Sequence, residues 1–148
     1  VNLVSSFSQP LLNNESLYET ISQSIGQLCQ DEAIDFGILY TENFLDIGKY
    51  CSPSQTKKIS SSVKSFMAEW DIPGFTGKFP ELAIGLHLIH TEKFEIVKEK
   101  AGYTFYLFMG LSNILKNQEK MHKIHQIHLF TNQLKKILLN AEILKDSS

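Results

Sequence analysis

The stretch LAIGLHLIHTEKFEIVKEKAGYTFYLFM, residues 82–109, decides the fold. Its apolar residues fall into three runs, 82–89, 94–98 and 103–109, separated by His90-Thr91-Glu92-Lys93 and by a break around Lys100-Ala101-Gly102. Runs rich in β-branched and aromatic residues between polar breaks predict strands, and connections this short predict an antiparallel meander. The first and last runs are apolar on both faces, which predicts central strands covered by helices. The middle run alternates and is expected nearer an edge.

Outward from this meander, residues 34–40 (IDFGILY) read as another strand, and Thr41-Glu42-Asn43 as the turn into a partner over 44–50. Residues 1–14 are Ser- and Asn-rich and are expected to be irregular. Ser16 and Glu19 form a capping box, in which each side chain satisfies the other's free backbone N–H. It opens a helix carrying Leu17, Ile21, Ile25 and Leu28 on one face. Ser52-Pro53-Ser54-Gln55 opens a second helix, with Ser as N-cap and Pro at the first helical position, where its missing N–H costs nothing. Ile59, Val63, Phe66, Met67 and Trp70 give that helix its apolar face. Residues 71–80 hold two Pro, two Gly and two Phe, which predicts an ordered loop over the core. A long last helix starts near Glu119, within a C-terminal stretch 119–146, and carries Ile124, Ile127, Leu134, Ile137, Leu138, Ala141 and Leu144. At 1.5 Å per residue it runs about 40 Å, more than one small sheet needs. Its end is therefore expected to pair with a second copy as a homodimer or to lead into an output domain.

The resulting class is α+β: one domain over 1–148, an antiparallel five-stranded sheet flanked by helices. The chain's 148 residues suffice for one real core. Net charge is −2 and all fourteen basic residues are Lys. Without the bidentate Arg fork, nucleic-acid recognition by this segment is not expected, although an AT-rich genome gives the same bias. Cys29 and Cys51 are too few and too far apart for a disulfide framework, which favours free thiols and a cytoplasmic location. No apolar run approaches the ~20 residues a membrane helix needs. The chain starts at Val1 and ends in Lys145-Asp146-Ser147-Ser148, so it is expected to be one module of a longer protein.

The order of these elements is similar to that of GAF/PAS-like sensor domains. More specifically the chain resembles the N-terminal ligand-sensing domain of LuxR-type bacterial transcription regulators. The pattern lies in the opening amphipathic helix, in 34–40, in the Trp-ended second helix and in the segments around Gly85-Leu86-His87-Leu88-Ile89 and Tyr103-Thr104-Phe105-Tyr106-Leu107-Phe108. The resemblance implies a GAF/PAS-like α/β sandwich, a small apolar ligand between sheet and helix, and Trp70 and Asp71 at the pocket mouth. Receptors of that family for acyl-homoserine lactones carry more than one Trp and an Asp farther downstream; here Trp70 stands alone with Asp71 beside it.

No motif in the chain prescribes a reaction. His122, His125 and His128 follow an H-x-x-H-x-x-H spacing, but three-residue steps sweep around a helix instead of stacking ligands, so no metal site is expected. His87 and His90 are three apart on a strand and point to opposite faces. Cys51 lies before a helix start, yet no histidine is fixed as its base. Gly74-Phe75-Thr76-Gly77-Lys78 lacks the strand and helix a phosphate loop needs. No catalytic residues and no cofactor are assigned. The aromatic residues are the best pointer to a site: Tyr40, Phe44, Trp70, Phe75, Phe79 and Phe105, with Asp71 at the rim, are expected to line a pocket for an apolar ligand. An ordinary aromatic core is the alternative for each of them singly. The rival function is a non-enzymatic adaptor or effector module.

Overall fold

A computed structural model describes residues 15–70, 82–84, 87–98 and 100–140. Helix α1 (Glu15–Glu32) leads into the hairpin of β1 (Phe36–Thr41) and β2 (Asp46–Tyr50). Helix α2 (Pro53–Trp70) follows, then β3 (Leu82–Ile84), β4 (His87–Lys98), β5 (Ala101–Ser112) and helix α3 (Asn117–Asn140). All pairings are antiparallel, in the order β2-β1-β5-β4-β3.

The expected five-stranded GAF/PAS-like sheet is corrected here. Four strands of substantial length carry the sheet, and Leu82–Ile84 adds only a three-residue rung to the outer edge of β4. His90-Thr91-Glu92-Lys93 is not a turn: β4 runs through it without a break and pairs with β5 from His87↔Ser112 to Lys98↔Ala101. The run 82–89 is accordingly not one central strand: 82–84 is the edge of the sheet, and 87–89 opens β4, paired with β3 on one side and β5 on the other. Strand β5 is central as expected, between β1 and β4, with residues 105–111 buried without interruption.

Strand alternation splits the interior into two faces. Helices α1 and α3 cover one, where Ile21, Ile25, Leu39, Phe94, Phe105, Leu107, Ile127, Leu134 and Leu138 belong to the larger core. Helix α1 sits close to β2 because position 48 is Gly: a Cβ there would lie 2.3 Å from Ile21 Cγ2. Helix α2 covers the other face, where Phe36, Ile38, Tyr40, Ile59, Ile89, Tyr106 and Phe108 form a second, smaller core. The Phe36 ring lies across Gly110, where a Cβ would meet it at 2.2 Å.

Local chemistry sets the helix ends. At α2 the capping box is reciprocal: Gln55 N donates to Ser52 Oγ (3.2 Å) and Ser52 N to Gln55 Oε1 (3.1 Å). Helix α1 stops where Ala33 takes φ 54° and Ile34 N reaches back to Cys29 O, an αL cap that satisfies a terminal carbonyl. Helix α3 starts at Asn117, two residues before Glu119. Its Leu138 is fully buried in the domain's own core and Ile137 packs against that core, so neither is left over for a second copy. Ala141 and Leu144 lie outside the described residues. Among the described residues, no helix is long and apolar enough to cross a membrane.

Candidate functional site: the aromatic face beneath helix α2

Tyr40 anchors the face beneath α2. It faces that side because β1 alternates Phe36, Ile38 and Tyr40 toward α2 and Gly37, Leu39 and Thr41 away. Its ring meets Phe44 at 5.6 Å and Phe108 at 5.6 Å. Its hydroxyl shares a 2.9 Å hydrogen bond with Ser60 of α2, and burial pushes the phenol up, so it stays a neutral hydroxyl. Phe44 holds φ 66°, a conformation that is costly for a bulky side chain, in the turn closed by Thr41 N to Leu45 O and Phe44 N to Thr41 O. That turn holds the half-buried ring beside Tyr40.

The sheet register extends this floor toward β4. Tyr40 sits opposite Tyr106, and Tyr106 opposite Lys93; Ile38 sits opposite Phe108, and Phe108 opposite Thr91. Burial on this face stops between Thr91 and Lys93: Thr91 is 7% exposed, while Lys93, Glu95 and Val97 are open to solvent. Lys93 Nζ stands 6.0 Å above the Tyr106 ring. Thr91 Oγ1 is the one buried side-chain polar atom, among the described residues, that has no hydrogen-bond partner. A buried hydroxyl left unpaired costs on the order of 1–3 kcal/mol, so such groups are rare and call for an explanation.

Of the residues predicted from sequence to line a pocket, Tyr40 and Phe44 are brought together. Phe105 is not with them: it lies on the opposite face, stacked on Phe94 at 5.5 Å inside the larger core. Its separation from Tyr40 follows from strand parity. Trp70 is the last residue of α2, but its side chain, like Asp71, Phe75 and Phe79, lies outside the described residues. Sequence reasoning missed Thr91, Lys93, Tyr106 and Phe108. The alternation Ile89, Thr91, Lys93 was a usable signal, masked by reading 90–93 as a turn.

Cys51 borders the same face, with Sγ 3.0 Å from Thr56 Oγ1. Burial raises its thiol, the reverse of what an activated nucleophile requires. His90, His122 and His128, on the other side of the sheet, are structural clasps. Glu92 receives His90 Nε2 at 2.6 Å and His128 Nδ1 of α3 at 2.8 Å. His122 meets Glu32 of α1 at 3.3 Å, so α3 is tied on both flanks by its first and third histidines. His87, on the α2 side with Ile89, bonds Asp35 at 2.9 Å and meets the Phe36 ring edge-on. Among the described residues no group of three His, Cys, Asp or Glu could hold a metal ion. Two open grooves flank α3, one of about 340 Å³ against α1 and one of about 470 Å³ near Ala33 and Leu115; none of the predicted site residues lines them.

The chain matches no protein-family model, no curated protein and no solved structure.

Proposed function

We propose that this chain is a sensory or regulatory domain that takes a small apolar molecule against the sheet face beneath α2. The observation that carries the reading is Thr91 Oγ1, buried without a partner beside Phe108 and one step inside the solvent-exposed Lys93. A polar group kept unsatisfied in an aromatic surround is what a ligand-binding face needs: apolar contacts supply affinity and a lone hydroxyl fixes orientation. Strain at Phe44 supports it further, because backbone strain clusters at functional positions. Membership of a transcription regulator rests on the pattern-level resemblance to LuxR-type sensor domains alone. Melting the protein against a panel of small apolar metabolites tests the reading. A true ligand at a hundredfold excess over its Kd stabilises the fold by about 2.7 kcal/mol. Thr91→Val and Phe44→Ala should remove that gain; a panel in which no compound raises Tm, or in which both variants respond like wild type, refutes it.

A second reading, a non-enzymatic adaptor or effector module, draws on a different surface. Met121, Leu129 and Leu139 of α3 are 62%, 46% and 39% exposed, and steps of eight and ten residues keep them on one outward flank of the helix.

A further inference from the structure

We infer that this chain pairs with a second copy of itself about a two-fold axis at the junction of β5 and α3, with Ile114 of each copy seated in a hollow of the other. The surface is a different one from the face beneath α2, and the inference does not depend on a ligand there. It starts from two apolar side chains that the fold itself does not use. Ile114 stands in the turn after β5, where Leu115 N reaches back to Ser112 O and Ile114 N to Ser112 Oγ. Turns favour Gly, Pro, Asn, Asp or Ser, yet this one holds an isoleucine 87% exposed, the most exposed large apolar residue among those described. Ala33 closes α1 at φ 54°, where Gly is the usual residue, so its methyl is kept at a backbone cost.

Ala33 and Leu115 line an open hollow of about 470 Å³, walled by Gln118, Glu119, His122 and Lys123; Ile114, the neighbour of Leu115, is not among its walls. A cavity of about 150 Å³ holds a benzene, so the four side-chain carbons of an isoleucine have room here. Knob and hollow adjoin on one surface, the condition for an isologous contact in which each is used twice. Charge is complementary in the same sense. Lys116 flanks the knob and Glu119 the hollow; both are exposed, and neither is ion-paired among the described residues. His122 and Lys123 are engaged with Glu32, which leaves Glu119 as the open charge of the wall. A two-fold that seats Ile114 sets Lys116 of one copy against Glu119 of the other at both ends of the contact. A small molecule in the hollow would leave Ile114 in water, whereas a second copy covers both features.

Sedimentation equilibrium of the whole chain from about 20 µM to about 1 mM is the test, because a contact this small forms only at high concentration. Average mass should climb from one copy toward two and stop there. Ile114→Asn, which suits the turn, should hold the chain monomeric without lowering Tm. Lys116→Glu alone and Glu119→Lys alone should each weaken the dimer at least about tenfold, since each sets like charges together at both ends. An equimolar mixture of those two variants should recover the dimer, because opposite charges then meet at both ends. Wild type that stays monomeric at the highest concentration, or an Ile114→Asn chain that dimerises as wild type does, overturns the proposal. So does a mass that keeps growing past two copies, or a mixture no more associated than its components.

Discussion

Replacing Thr91 by Val exchanges a hydroxyl for a methyl of nearly the same shape. In most buried positions that loses a hydrogen bond and destabilises the protein. At Thr91 there is no hydrogen bond to lose, and the unfolded chain, whose hydroxyl meets water, is the state that suffers. Removing a buried unpaired hydroxyl should recover about 1–2 kcal/mol, helped by the preference of strands for Val. At about 2–4 °C per kcal/mol for a domain near this size, Tm should rise by roughly 2–8 °C. Thr131→Val is the matched control. Thr131 is 4% exposed, as buried as Thr91, but its hydroxyl donates to His128 O at 2.6 Å. Losing that bond should cost about 0.5–1.5 kcal/mol, so the two variants should move in opposite directions. Urea titrations of ligand-free protein, followed by circular dichroism, give both numbers on one scale. If Thr91→Val loses as much stability as Thr131→Val, the Thr91 hydroxyl is satisfied, and the argument for a ligand beneath α2 loses its anchor.

Leu138→Lys should abolish cooperative unfolding, since it places a charge in the centre of the larger core, whereas Leu139→Lys, at a 39% exposed position, should shift stability by less than about 0.5 kcal/mol. Melting the two variants side by side checks this, and a Leu138→Lys protein that melts like wild type would remove α3 from the core. Burial works to raise the Glu92 carboxyl, but the hydrogen bonds from His90 and His128 outweigh it and hold the group below the ordinary carboxylate range. A lowered folded-state value contributes stability that is present above the unfolded value of about 4.3 and is lost as pH falls through the folded one. Glu92→Gln should therefore flatten the loss of urea stability between about pH 5 and pH 3, and profiles that stay parallel to wild type would rule out this clasp.

Legibility in the sequence followed the range of the physics. Capping at Ser52 and Gln55 is settled within four residues, and it was read correctly. So was the centrality of 103–109, because apolarity on both faces leaves a strand nowhere else to go. The segment 90–93 was misread because its polar residues look solvent-seeking. They are tolerated in mid-strand because His128, 36 residues beyond Glu92, arrives on α3 to share its carboxylate, and no local pattern announces a partner that distant. Of the proposed site, the pairing of Tyr40 with Phe44 was expected from composition. The buried position of Thr91 depended on the strand running on through the apparent turn. Face assignment followed from the same continuity, and it separates Phe105 from Tyr40 by one residue of register.

The pairing of β1 with β5 joins the first strand of the sheet to the last. Phe36 aligns with Gly110, so the middle of the sheet closes a loop containing nearly all the rest of the meander and α2. A chain emerging from the ribosome can form α1 and the β1–β2 hairpin early, but β1 keeps a bare edge until β5 is complete. Such distant pairing slows folding, because the entropy of loop closure is spent before any contact repays it. During that interval Phe36, Ile38 and Tyr40 sit on a strand with one bare edge, the kind of template on which nascent chains aggregate. The time spent synthesising residues 42–110, rather than any feature of the finished domain, sets the length of that interval.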